Sequence, residues 1–158
     1  MMNIEFSNEA AAKSTSLLNG LLADHFTLLL KIWQFHWNVE GKSFDSFHSK
    51  MKELYEAEID FVDDTAERIR AVRGVPLTSM EAMLQNNHIQ EWVGGVPPAM
   101  EMWNIIYADY ETIINRIRVI HEQVDSSDLG TLNFLEDMIT KMEKDAWMIR
   151  SILNIVGK

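Results

Sequence analysis

No cysteine occurs among the 158 residues, which excludes a disulfide framework and any thiolate metal site. Prolines and glycines are few, three and seven, and they gather in a handful of places, leaving long stretches free to be helix. No cationic stretch followed by an apolar run opens the chain, so no secretion signal is read. The most apolar window, Leu17 to Trp33, is interrupted by Asp24, His25 and Lys31 and is too polar to span a bilayer. A cytoplasmic protein without membrane contact is the expectation. Basic charge is missing where a nucleic-acid tail would need it: the first dozen residues hold no Lys or Arg, and the net charge is −10. Neutralising phosphates supplies most of the affinity for duplex DNA, so DNA binding is not expected. An acidic chain suits attraction of metal cations, or simply solubility.

What is present is an ordinary globular composition, 47% hydrophobic and 24% charged, read as one domain over residues 1–158 with a sizeable core. Leu18, Leu21, Leu22, Phe26, Leu29, Ile32, Trp33 and Trp37 recur at helical spacing. They predict a first helix from Ser7 or Asn8 to about Asn38, broken by Val39-Glu40-Gly41. A second helix runs from Ser43–Asp45 to Arg73, with Phe47, Met51, Leu54, Tyr55, Phe61 and Val62 on its core face and Gly74 as the left-handed stop. A short helix, Ser79 to Gln85 with Thr78 as its cap, sits in the long link that follows. Pro98 falls in the first turn of the third long helix, which continues to about Gln123. The fourth fills Leu129 to Val156, ended by Gly157. The fold class is all-α: a four-helix bundle, up-down-down-up, with a short extra helix in the connection between the second and third long helices.

Chemistry is concentrated around the first turn. His36 closes the first helix and His48 opens the second, while Asp63 and Glu67 follow at i, i+4 on one face. Imidazole with carboxylate suits iron, zinc or manganese. His48 and Asp63 are roughly 22 Å apart along one helix at ~1.5 Å per residue, so they cannot share an ion within one chain. An antiparallel two-fold copy of the second helix could bring them together, which makes this an interface site requiring a homodimer. Bundles with a di-metal centre inside one subunit use paired Glu-x-x-His motifs; none occurs here, which argues against an intra-subunit carboxylate site.

The run His36-Trp37-Asn38-Val39-Glu40-Gly41, then Phe44 and His48, then Asp63 with Ala66-Glu67-Arg68, resembles the signature of the Dps family of mini-ferritins. Asp145-Ala146-Trp147-Met148 resembles that family's last-helix pattern, so the likeness covers essentially the whole chain. The resemblance implies a ferritin-like fold and a hollow homododecamer. It implies a ferroxidase site with His36 and His48 from one subunit and Asp63 and Glu67 from its two-fold mate. Fe(II) and hydrogen peroxide would be the substrates, and ferric iron would be stored inside, protecting against oxidative damage. Trp37 would lie near the iron, and Asp125, Asp128, Glu136 and Asp137 near three-fold pores; an ordinary acidic helix start is the alternative for that cluster.

One departure stands out. The family usually carries an acidic ligand four residues after the second histidine, where this chain has Lys52. A protonated ammonium cannot ligate a metal and repels one nearby. The reading is therefore one retained position on His36, Asp63 and Glu67, and a weakened one near His48. Two alternatives stay open: a structural shell whose ferroxidase site Lys52 disables, and a DNA-compacting protein. His25, His88 and His121 are read as structural.

Overall fold

The computed structural model describes residues 7–154. Five helices account for most of them: α1 (Asn8–Asn38), α2 (Phe44–Ala71), α3 (Met80–Asn86), α4 (Ala99–Gln123) and α5 (Leu129–Ile152). The side-chain pairings fix the topology. His25 meets Glu58 and His36 meets His48, so α1 and α2 run antiparallel. Asp24 meets Arg116 and Lys31 meets Asp109, so α1 and α4 are antiparallel too. Arg68 meets Asp128 while Lys50 meets Met148, which sets α2 against α5. The order is up-down-down-up, as the spacing predicts. No helix among the described residues is long and apolar enough to cross a membrane.

The core forms because the apolar stripes of the four long helices face one axis. Leu18, Leu21, Ile32 and Phe35 of α1 meet Met51 and Leu54 of α2, Trp103 and Ile106 of α4, and Met142 and Ile149 of α5, all fully or almost fully buried. α1 is covered on several sides, by α2, α3 and α4. Its polar residues Asp24, His25 and Lys31 are therefore buried, each against a partner of opposite character. Trp37 departs from the predicted apolar stripe. It is 61% exposed, one turn beyond Trp33, on which its ring stacks at 5.9 Å.

The helix ends correct several expectations. Ser7 caps α1, accepting from the Ala10 N–H at 3.0 Å. α2 ends in a Schellman motif: the Gly74 N–H reaches the Ile69 carbonyl at 2.8 Å and the Arg73 N–H that of Arg70 at 2.9 Å. The left-handed residue is Arg73, with φ 70, not Gly74. Gly74 is needed for another reason, since a Cβ there would lie 2.2 Å from Thr15 Oγ1. Ser79 rather than Thr78 caps α3, and Pro98 is the residue before α4 rather than inside its first turn. α5 ends at Ile152, short of Val156, with Asn154 left-handed at φ 54. Gly157 lies outside the described residues.

Candidate metal centre

His36 stands in the last turn of α1 and His48 in the second turn of α2, so the tight link between these helices folds one ring onto the other. The rings stack with centroids 3.7 Å apart and planes at 19°. Each Nδ1 lies 2.8 Å from the other residue's backbone carbonyl oxygen. A carbonyl only accepts, so both Nδ1 atoms carry the proton and donate. In the neutral rings both Nε2 atoms are left with a free lone pair, the state a metal-binding imidazole needs. Phe44 stacks on His48 at 5.0 Å, and Tyr55 stands edge-on to His36 at 5.1 Å. His36 is buried, 7% exposed. The pair is thus held by main chain and aromatic walls before any ligand arrives.

Asp63 and Glu67 lie further down α2, exposed and a turn apart, and neither makes a hydrogen bond or ion pair among the described residues. They do not approach His36 and His48. No three His, Asp or Glu side chains among the described residues converge into a metal-holding group. Lys52 projects from α2 one turn after His48; its ammonium is 3.8 Å from Glu56, both side chains more than half exposed. Spacing had no means of showing the reciprocal Nδ1–carbonyl bonds or the Tyr55 edge, which arise only when the hairpin closes.

The acidic cluster at the start of α5 divides. Asp128 is 1% exposed, its carboxylate bound by Ser14 Oγ at 2.7 Å and Arg68 at 2.8 Å. Burial pushes its pKa up, but hydrogen bonds from Thr131 and Ser14 and the Arg68 charge outweigh that and hold it below the usual carboxylate range. Asp128 is a clamp inside the fold and cannot line a pore; this corrects its inclusion in that cluster. Asp125 is exposed and held low by hydrogen bonds from Ser127. Glu136 meets His121 at 2.9 Å. The other two histidines outside the pair also have partners: His25 is bound to Glu58 and His88 lies beside Asp24.

A bundle of this order is that of a ferritin-like protein, and the model of the ferritin-like domain matches residues 15–156. A low-temperature-induced protein of Nostoc sp. is 37% identical over 157 residues, covering 96% of this chain and 86% of that one. The DNA protection during starvation protein 2 of Bacillus anthracis is 37% identical, covering 87% and 94% respectively. Among solved structures, the Dps protein from Bacillus brevis superposes with a TM-score of 0.88 at 30% identity, over 94% of this chain and 99% of that one. The Dps protein from Vibrio cholerae O1, described as a member of a superfamily of ferritin-like diiron-carboxylate proteins, gives 0.91 at 26% identity, over 97% and 96%. The chain belongs to the Dps family of ferritin-like proteins.

Proposed function

We propose that this chain, as a single domain, builds a hollow cytoplasmic homododecamer that binds Fe(II) between two-fold-related subunits, oxidises it with hydrogen peroxide and keeps the ferric product inside. The observation that carries the reading is the histidine pair, His36 and His48, whose Nδ1 atoms are both committed to carbonyls while both Nε2 atoms stay available. Asp63 and Glu67 of a two-fold copy would supply the hard carboxylate oxygens that favour Fe(III) over Fe(II). They are exposed and uncommitted among the described residues. Oxidation of two Fe(II) consumes one peroxide and two protons and releases two waters. Both Fenton reagents are removed together, which makes the role protective as well as one of storage. The net charge of −10 raises the local concentration of cations.

The test is Fe(II) oxidation by hydrogen peroxide in stopped flow beside a protein-free control. The proposal expects a fast phase that saturates at a fixed number of irons per subunit and is lost in His36→Ala and Asp63→Asn. A native trace matching the control would instead support a shell disabled by Lys52, a reading favoured by the ammonium one turn from His48, held only by exposed Glu56 at 3.8 Å among the described residues. The names of several relatives speak of DNA protection. Here the acid balance favours protection by iron removal over DNA contact, and a gel shift retaining DNA at low salt would contradict that.

A further inference from the structure

One stripe of α2 is left bare by the bundle. His48, Lys52, Glu56, Ile59, Asp63 and Glu67 follow one another at spacings of 4, 4, 3, 4 and 4 residues, which keeps them on one side of the continuous helix. His48 is half-buried and the other five are exposed, Ile59 at 40%. Lys52 is the stripe's only fixed cation, its ammonium 3.8 Å from Glu56. Asp63 and Glu67 make no hydrogen bond or ion pair among the described residues. An ammonium has three donors, so Lys52 keeps capacity for a second carboxylate. Within one chain Lys52 and Asp63 are roughly 16 Å apart at ~1.5 Å per residue and cannot meet. The spacings, however, read the same in both directions. A second copy of α2 laid antiparallel on the stripe, as the proposed two-fold site requires, therefore matches it position for position. His48 faces the copy's Glu67, Lys52 its Asp63 and Glu56 its Ile59.

We propose that Lys52 is the resident cation of the two-fold interface: its ammonium pairs with Asp63 of the second copy, so the subunits assemble without metal, and iron must displace Lys52 to take that carboxylate. The inference rests on the two-fold reading and adds to it the state of the site before iron arrives. Each stripe carries three carboxylates against one ammonium. Two facing stripes without Lys52 would bring six carboxylates together, and like charges set opposite one another across an interface disfavour association. An ammonium from each chain, lying between a carboxylate of its own chain and one of the copy, relieves that repulsion. The same charges select the register, since a parallel pairing would set Lys52 against Lys52. The ammonium holds its partner as a point charge with no coordinate bond, so a divalent cation can replace it: the Lys52–Asp63 pair breaks, a metal–oxygen bond to Asp63 forms, and no proton or electron moves.

The test reads assembly rather than iron oxidation. The full-length protein, stripped of metal with a chelator at low ionic strength, is compared with Lys52→Asp, Asp63→Lys and the variant carrying both changes, by sedimentation velocity over a dilution series. The native chain is expected to assemble without metal. Each single reversal raises the concentration needed for assembly by about tenfold or more, as misplacing a close interface charge does, and the double variant, with the charges exchanged, returns close to native. Both positions are exposed, so the fold is kept, which circular dichroism checks. A native protein that stays dissociated without metal, single reversals that assemble as native does, or a double variant no better than either single would each overturn the assignment. A cross-linking arm separates that failure from failure of the two-fold reading. The chain has no cysteine, so Lys52→Cys with Asp63→Cys offers a bis-maleimide too short to span the two positions of one chain only a link between chains. It is applied at a concentration where the single reversals assemble. Linked dimers beside a failed charge exchange would leave the antiparallel register standing and remove the Lys52–Asp63 pair; absence of linked dimers would remove both.

Discussion

Replacing Arg68 by Met removes one side of the clamp that joins three helices. Arg68 donates to Asp128 at 2.8 Å and, through Nε, to Thr131 Oγ1 at 2.9 Å, while Asp128 also takes the Ser14 hydroxyl at 2.7 Å. Breaking a buried ion pair costs about 3–5 kcal/mol when the remaining charge is left alone. Asp128 is not left alone. It keeps Ser14, the Thr131 N–H and its position at the N-terminus of α5, where a negative charge is favoured by a few tenths to about 1 kcal/mol. Arg68 is partly exposed as well. The expected cost is therefore about 2–3 kcal/mol, the range of a hydrogen bond to a charged group. In an Asp128→Asn background the cap is retained, since Asn caps as well as Asp, but the charge is gone, and Arg68→Met should cost under about 1 kcal/mol. The difference is read by urea unfolding of all four proteins at one fixed protein concentration, with circular dichroism as the probe. A coupling energy below about 0.5 kcal/mol, the limit for independent sites, would refute the clamp. The pH dependence gives a second check. The Asp128 carboxyl is held low in the folded protein, so its contribution is complete above the ordinary carboxylate value and is lost as pH falls through the lowered one. Asp128→Asn should flatten that acid limb.

Other outcomes follow from single contacts. Gly74→Ala should cost about 1–3 kcal/mol by overpacking, since its Cβ would meet Thr15 Oγ1 at 2.2 Å, Thr15 Cγ2 at 2.6 Å and Ile69 Cγ2 at 2.9 Å; the double variant with Thr15→Ala should recover part of it in thermal melts. His25→Ala leaves the Glu58 carboxylate buried without its partner, a loss of about 3–5 kcal/mol read by denaturant midpoint. Lys52→Asp replaces the ammonium beside His48 by a carboxylate, and Fe(II) or Zn(II) titration should then show more metal bound per subunit than in the native protein. Unchanged stoichiometry would mean that Lys52 does not limit the site.

The four long helices were legible because their apolar repeats are long, and Ser7 is a strong cap with the chain free to use it. The ends of α2 and α3 were less so. Gly74 attracts the left-handed assignment by residue type, yet the demand on it comes from Thr15, a residue far away in sequence. Trp37 fits the helical repeat but projects from the uncovered side of α1, while Phe35, His36 and Val39 around it are buried, so spacing overstated its burial. His36, His48, Asp63 and Glu67 could be picked out by type and spacing together with a family likeness, while the locking of the two imidazoles depends on closure of the hairpin. Asp128 looked like one more surface acid because nothing local to it announces Arg68 or Ser14. Glu58, the buried partner of His25, stayed invisible for a similar reason: one polar residue per helix makes no pattern along a chain.

The bonds that hold His36 and His48 end on carbonyl oxygens, and a carbonyl belongs to every residue. No point substitution elsewhere deletes them; only a change in the register of α1 against α2 can. Orientation of the pair is therefore insulated from drift in the surrounding side chains, so exchanges such as the lysine at position 52 can accumulate beside it while both imidazoles keep their aim.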